Sequence, residues 1–348
     1  MKIVKKTIQG LSIIMGLIVL YLLVVTFVPG ISVSEQPLEH GKHLTTQVDI
    51  KPSGATRYVS FGIKGTSLHA WLFLPEDLSA PVPCVIMAHG FGLTKDMGLE
   101  SYAVRYQKAG FAVLVFDYRH FGKSGGEPRQ LIWIPYQLED WLAAIKYVRN
   151  LKEIDSGRIA LWGTSFSGGH VIVTAAKDNQ IACVVAQCPA LDGHALRKMI
   201  LKRGVGYLLR LIIHGQRDYF RSWFGLSPHK IPIAGKPGSI ACLTTPDAYD
   251  GYGSLVTDGF INEVCARIVI RADRYRPVTH AHNVRCPVLL QICDHDSITP
   301  QSAAEETEKE LGKYADVKHY PISHFDIYTG ENFEKSVNDQ LEFLRKHL

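Results

Sequence analysis

Arg158-Ile159-Ala160-Leu161-Trp162-Gly163-Thr164-Ser165-Phe166-Ser167-Gly168-Gly169 carries an apolar strand straight into a serine flanked by small residues. A serine hydroxyl is a poor nucleophile at neutral pH. It must stand clear of a sheet on a tight strand-to-helix turn, where a histidine can take its proton. Gly163, two residues before Ser165, and Ser167, two after it, are small enough to let strand and helix approach. The usual pattern of such a turn is Gly-x-Ser-x-Gly, and here Ser167 displaces its last glycine, with Gly168 and Gly169 following. The departure raises a question of register. Ser167 is a second candidate, but its preceding small residue would be Ser165, and the strand would have to run further past Trp162. The turn geometry favours Ser165. Taken alone, the pattern also fits a small-residue loop between any strand and helix.

Segments further along supply the partners that a nucleophilic serine requires. Cys286-Pro287-Val288-Leu289-Leu290-Gln291-Ile292-Cys293 reads as a buried strand, and Asp294-His295-Asp296-Ser297-Ile298-Thr299-Pro300 is the polar loop leaving it. Val317-Lys318-His319-Tyr320 makes a short last strand, followed by Pro321-Ile322-Ser323-His324-Phe325-Asp326. Upstream, His89-Gly90-Phe91-Gly92 follows the strand Cys84–Ala88, and Asp117-Tyr118-Arg119-His120-Phe121-Gly122-Lys123-Ser124 follows the next.

On these motifs, in this order, the chain resembles the α/β-hydrolase superfamily from Val59 to Leu348. Within it the chain is similar to serine hydrolases related to dienelactone hydrolases, X-Pro dipeptidyl peptidases and fungal polyketide-processing hydrolases. The resemblance implies an α/β-hydrolase fold, a mostly parallel doubly wound sheet with a cap insertion. It implies a triad of Ser165, Asp296 and His324, and no cofactor. The family commonly sets its acid four residues before a proline, and Asp296 precedes Pro300 by four; Asp294, in the same loop, is the alternative. The backbone N–H groups of Phe91 and Phe166 are implied as the oxyanion hole. A serine at the turn separates the chain from the dehalogenase branch, whose nucleophile is an aspartate.

The roles follow from proton chemistry. Ser165 attacks an acyl carbonyl, while His324 accepts its proton and returns it to the leaving group. Asp296 holds the imidazole tautomer and stabilises its charged form. Because His324 must be neutral to act, turnover is expected to rise with pH near the unperturbed histidine value of about 6.5.

Other polar residues read as structural. His89 precedes the oxyanion loop and reads as a hydrogen-bonding scaffold residue; Asp117 and Arg119 read as a turn-stabilising pair. His120, His295 and His319 lack metal-ligand spacing, and neither His-Glu-x-x-His nor a paired Cys-x-x-Cys occurs, so no metal is expected. Gly122-Lys123-Ser124-Gly125-Gly126 is not a phosphate loop, and neither a nucleotide nor a nucleic-acid partner is expected.

Lys2, Lys5 and Lys6 precede an uncharged run from Thr7 to Ser34 whose apolar heart is Leu11–Val28. A bilayer core takes about 20 helical residues, whereas a secretory signal has an apolar region of about 7–15. Residues 7–29 are therefore expected to be an uncleaved transmembrane anchor, with the membrane as a partner, rather than a removed signal peptide. Three lysines before the span place the N-terminus in the cytoplasm and the hydrolase domain on the other side. The seven cysteines, an odd count, neither demand nor exclude a disulfide.

Residues 30–54 are expected to be a linker and 55–348 one domain. Tyr58–Ile63 and Leu68–Leu74 read as a hairpin turning at Lys64-Gly65-Thr66, and continuous apolar strands then alternate with helices, as in a parallel sheet covered on both faces. The alternation breaks between about Leu191 and Thr279, too long for an ordinary connection, so this segment is expected to cap the site. In it, Pro228–Gly253 is expected to be irregular. Arg197, Lys198, Lys202, Arg203 and Arg210 cluster at its start. The cluster reads first as a solvated helix face, with lipid head groups or an acidic substrate as the other readings.

The expected activity is a serine hydrolase acting on small-molecule carboxylic esters or thioesters. The alternatives are a peptidase acting on short or proline-containing peptides and a non-catalytic binding protein of the same fold.

Overall fold

Residues 2–28, 33–35, 37–38 and 56–348 are described by the structure, a computed structural model. The expected linker 30–54 lies almost wholly outside them. The chain opens with α1 (Lys2–Phe27), in which Lys6–Phe27 is long and apolar enough to cross a bilayer, with a mean hydropathy of 2.6. An N-terminal signal sequence can also meet this criterion of length and hydropathy.

β1 (Thr56–Ile63) and β2 (Thr66–Phe73) form the expected hairpin. Its loop is two residues rather than three: Lys64 and Gly65 both take positive φ, 47° and 79°, the twist-matched turn that joins adjacent antiparallel strands, so Thr66 already pairs with Ile63.

Strand and helix then alternate through β3 (Val82–Ala88), α2 (Leu99–Lys108), β4 (Ala112–Phe116), α3 (Ile134–Arg149), β5 (Ile154–Thr164), α4 (Phe166–Ala175) and β6 (Cys183–Gln187). The long excursion that follows holds α5 (Gly193–Lys202), α6 (Val205–Trp223), β7 (Lys230–Ile231), α7 (Ala248–Leu255), β8 (Val264–Cys265) and the one-turn α8 (Val278–Ala281). The stretch Pro228–Gly253 is irregular as expected from 232 to 247, but it also contains β7, paired antiparallel with β8, and most of α7. Its proline and glycine content masked this order. The alternation resumes with β9 (Val288–Cys293), α9 (Gln301–Leu311), β10 (Ala315–Tyr320) and α10 (Gly330–His347).

The main sheet has eight strands in the order β1-β2-β4-β3-β5-β6-β9-β10, and only β2 runs against the rest. β3, β4, β6, β9 and the second half of β5 are almost entirely buried, which is why their sequences are unbroken apolar runs. Alternate residues feed opposite faces. Cys84 and Ile86 of β3 pack with Trp141 and Ile145 of α3 and Ile172 of α4, whereas Val85 and Met87 pack with Tyr102 and Tyr106 of α2 and Leu341 and Leu344 of α10. All seven cysteines are free thiols.

The sheet matters to function because every crossover delivers its loop to the same edge, the carboxyl ends of the parallel strands. The loops after β3, β5, β6, β9 and β10 therefore converge there.

Candidate active site

Ser165 occupies the single residue between β5 and α4 with φ 55° and ψ −117°. A side-chain-bearing residue pays roughly 1–3 kcal/mol for such a conformation, so its surroundings must hold it. They do so through backbone bonds on both sides: the Ser165 N–H donates to the Gln187 carbonyl at 2.9 Å, and its own carbonyl accepts from Gly168 at 3.0 Å and Ala190 at 2.8 Å. The turn also needs small neighbours. A Cβ on Gly163 would sit 2.3 Å from the Ser167 carbonyl oxygen, and one on Gly169 2.4 Å from that of Ala190.

Ser167, the other candidate, is fully buried at the start of α4. Its Oγ donates to the His89 carbonyl at 2.6 Å and bonds the Tyr118 hydroxyl, which in turn accepts from Trp141 Nε1 at 2.8 Å. This explains the missing glycine of the usual pattern. A serine fits at 167 because its hydroxyl finds partners that tie α4 to the loop after β3, whereas Gly168, pressed against Pro189, has no room for a Cβ.

That loop passes against the elbow, since a Cβ on Gly90 would meet Ser165 Cβ at 2.9 Å. The Phe91 ring meets the Phe166 ring edge-on with centroids 5.5 Å apart. The Phe166 N–H belongs to the unpaired donors that begin a helix, and the Phe91 N–H has no backbone acceptor among the described residues. Both donors thus flank Ser165 without a backbone acceptor among the described residues.

His89 is enclosed beneath this loop. Its Nδ1 accepts from the Gly90 N–H at 2.9 Å and its Nε2 faces the Met97 carbonyl at 2.6 Å. Burial pulls its pKa down to about 4, despite the Met97 carbonyl, so it is neutral. Asp117 and Arg119 do not pair with each other as the sequence suggested. Asp117 takes Lys95 Nζ at 2.5 Å and the Lys95 N–H at 2.8 Å, whereas Arg119 turns to Asp140 at 2.6 Å. Each is claimed by a different neighbour, Asp117 by a lysine of the loop after β3 and Arg119 by an aspartate of α3, and this separates the two.

After β9 the two acids of one loop divide. Asp296 is buried; its Oδ2 lies 2.6 Å from His324 Nδ1 and accepts from Thr299 Oγ1 at 2.6 Å, while its Oδ1 accepts from the Ile298 and Thr299 N–H groups at 2.7 Å each. Burial pushes this carboxyl up, but the His324 charge and these donors outweigh it and hold it below the usual value. Asp294 faces outward, its Oδ1 2.7 Å from His319 Nδ1 at the surface. His324 is buried as well. Burial would lower its pKa, but the facing Asp296 carboxylate, and after it the neighbouring Cys188 sulfur, raise it well above the usual histidine value. Ser165 and His324 are not hydrogen-bonded to each other in this structure, and such bonds commonly tighten only once substrate is bound.

Ser165 and the rings of Phe91 and Phe166 floor a mostly apolar cavity of about 320 Å³. Ile200 of α5 and Leu208, Leu211 and Ile212 of α6 form its far wall. The described residues of the long excursion thus cover the strand ends. Two supporting residues were not anticipated. Thr299 holds Asp296 through an Asp-x-x-Thr spacing that is visible in the sequence. Tyr252 of α7 donates to the Phe91 carbonyl at 2.8 Å, a contact that no local pattern announces.

Residues 64–205 match the X-Pro dipeptidyl-peptidase (S15) family. Over 290 residues the chain is 41% identical to the quorum-quenching protein AidA of Acinetobacter baumannii (strain MDR-ZJ06), covering 83% of this chain and 94% of that protein. A shorter match, 35% identity over 138 residues, 40% of this chain and 42% of the other, is to thiohydrolase aneE of Aspergillus aculeatus. Among solved structures, the α/β hydrolase GrgF from Penicillium sp. sh18 superposes with a TM-score of 0.69 at 23% identity, covering 84% of this chain and 98% of that one, a likeness of fold.

Proposed function

The chain belongs to the α/β-hydrolase superfamily and is a hydrolase, and on that premise we propose a serine hydrolase that opens carboxylic esters or thioesters through an acyl-enzyme. The observation that carries the reading is Ser165, a serine held at φ 55° on the floor of an apolar cavity, with a buried His324–Asp296 pair on neighbouring strand ends.

In this reading Ser165 Oγ attacks the acyl carbonyl as His324 Nε2 takes its proton, and the new oxyanion is met by the Phe91 and Phe166 N–H groups. His324 then gives the proton to the departing alkoxide or thiolate. Water, deprotonated by His324, attacks the acyl-Ser165 ester and releases the acid, restoring the serine. Asp296 keeps the proton on Nδ1 and stabilises the imidazolium. The apolar cavity suits a hydrocarbon acyl group, and the thiohydrolase relative favours including thioesters.

A peptidase reading draws on the S15 match and on Asp273, whose Oδ1 is buried by the cavity without a partner. The ester reading is preferred because each of the two carboxylates among the described lining residues already faces an arginine. Arg276 holds both oxygens of Asp192, at 2.9 and 3.0 Å, and Arg197 lies 3.2 Å from the other oxygen of Asp273.

The same reading places residues 7–29 as a bilayer anchor, 30–54 as linker and 55–348 on the non-cytoplasmic side, with the excursion 191–279 as cap. Protease accessibility of the domain in sealed membrane vesicles of known orientation tests the topology. The chemistry is tested by fluorophosphonate labelling of wild type, Ser165→Ala and Ser167→Ala, each first shown to be folded, followed by a panel of esters, thioesters and X-Pro peptides. Labelling lost in Ser165→Ala and kept in Ser167→Ala is expected. Labelling kept in Ser165→Ala, or absent from folded wild type, overturns the reading.

A further inference from the structure

α6 uses one face for two purposes. In its second half, that face holds α1: Arg217 Nη1 donates to the Val25 carbonyl at 2.8 Å and Arg221 Nη1 to the Thr26 carbonyl at 3.1 Å, the Tyr21 hydroxyl bonds Gln216 Oε1, and the Phe27 and Phe224 rings meet at 5.2 Å. The arginines satisfy carbonyls that a helix end leaves unpaired. These pairs rise in number together along both helices, so both lead from their contact toward the same side, and they splay apart there, because residues 11–20 of α1 are exposed.

In its first half, the same face of α6 is bare. Val205, Leu209 and Ile213 recur at four-residue spacing with 61%, 54% and 37% exposure, and Leu201 at the end of α5 adds 39%. This stripe lies on the side to which the membrane-length helix leads. Lys198, Lys202 and Arg210 flank it, exposed and in no ion pair among the described residues. Trp223, 64% exposed, stands where α1 ends, the level at which indole rings favour a bilayer interface. Exposed apolar residues bordered by lysine and arginine suit an anionic lipid surface. The inner side of the same helix pair, through Ile200, Leu208, Leu211 and Ile212, walls the cavity above Ser165.

We propose that the α5–α6 pair lies in the head-group region of the leaflet at the C-terminal end of α1, and that the cavity receives the acyl chain of an amphiphile from that leaflet. The substrate half rests on the ester-hydrolase reading above; the position of the helix pair does not. Continuity with α1 and the flanking positive charge select lipid over a protein partner for this face. The basic cluster is then a lipid contact rather than a merely solvated helix face.

The test uses the full chain in nanodiscs of phosphatidylcholine with phosphatidylglycerol. Val205→Cys, labelled with a nitrobenzoxadiazole fluorophore, is expected to be quenched at least about twofold by doxyl-labelled lipid and to resist aqueous iodide, as an interfacial helix does. Quenching by iodide with no effect of doxyl lipid, or equal protection in detergent without lipid through a second copy, overturns the position. In the second arm, the double variant Val205→Asp, Leu209→Asp is expected to lose about tenfold or more in kcat/KM on a decanoyl ester dissolved in the disc, and to change less than about twofold on a water-soluble acetate ester. Equal losses on both esters, or none, overturn delivery from the leaflet. If wild type hydrolyses neither ester, the hydrolase reading and the substrate half fall together, while quenching still decides where the helix pair lies.

Discussion

The floor and the far wall of one cavity are built by opposite means. On the floor, at the strand ends, polar side chains are buried and partnered: Ser167 with His89 and Tyr118, Asp117 with Lys95, Asp296 with His324 and Thr299. On the wall, α5 and α6 turn one side to the cavity and leave Leu201, Val205, Leu209 and Ile213 open on the other. A floor that must hold atoms in place needs over-determined geometry, because a strained φ at Ser165 persists only where its neighbours leave no alternative. A wall that meets substrate and surroundings needs surface chemistry more than fixed bonds. The contrast teaches where to look for each kind of defect: under the proposed reading, substitutions on the floor are expected to change rate and stability, and those on the outer wall to change access.

The largest expected effect is on the floor. Asp296→Asn keeps the shape of the buried pair but favours the wrong imidazole tautomer, and kcat on a soluble ester should fall by about four orders of magnitude. Steady-state kinetics on folded variant measures this; a fall of less than about tenfold would remove Asp296 from the proposed triad.

Next comes the pair that braces the oxyanion loop. Lys95→Met leaves the buried Asp117 carboxylate without its 2.5 Å partner, and stability to urea should drop by about 3–5 kcal/mol. A smaller change, comparable to that of a surface ion pair, would show that the loop relaxes and that the floor is less rigid than its bonding suggests.

A smaller effect is expected in the pH profile. Because Asp296 holds the His324 pKa above its usual 6.5, the neutral base forms only at higher pH. The rise of kcat/KM should be centred above the ordinary histidine value, and the residual activity of Asp296→Asn should rise at lower pH than that of wild type. For stability the sign is opposite: the raised pKa favours the folded state below the unfolded histidine value, and this contribution is lost as pH climbs through the folded value. A wild-type midpoint at or below the ordinary value contradicts the assignment.

The smallest effect marks the outer wall. Leu209→Ser, at 54% exposure, should change the urea midpoint by no more than about 0.5 kcal/mol in free energy. A loss like that of a core leucine would mean that the stripe is packed in solution, and the contrast between floor and wall would fail.

Much of the floor was legible along the chain. The elbow, the loop after β3 and the loops after β9 and β10 are each local: a strand of apolar residues, then small or polar residues at fixed offsets. The order of the serine, acid and histidine survives in the sequence because each sits just past a strand, and parallel strands bring their ends together. Asp296 was separated from Asp294 only by a proline offset, whereas in the structure the two point to different partners, His324 and His319. The pairing of Asp117 with Lys95 rather than Arg119, and that of Tyr252 with the Phe91 carbonyl, were illegible. They join residues distant in sequence, and no periodicity records such contacts.

Sequence alone therefore determined the strand–helix alternation, the serine at a tight turn, the apolar helix at the N-terminus and the existence of a long excursion between β6 and β9. All of these are written in residue type and short-range spacing, which set backbone conformation and the buried face. Only the tertiary structure decided that Ser167 is bonded into the core while Ser165 faces the cavity, that Pro228–Gly253 holds ordered elements, and that α6 joins α1 on one side and walls the cavity on another. Those outcomes depend on which surfaces meet. A helix spelled by its periodicity has an apolar face, but what covers that face is fixed by packing between segments far apart in the chain.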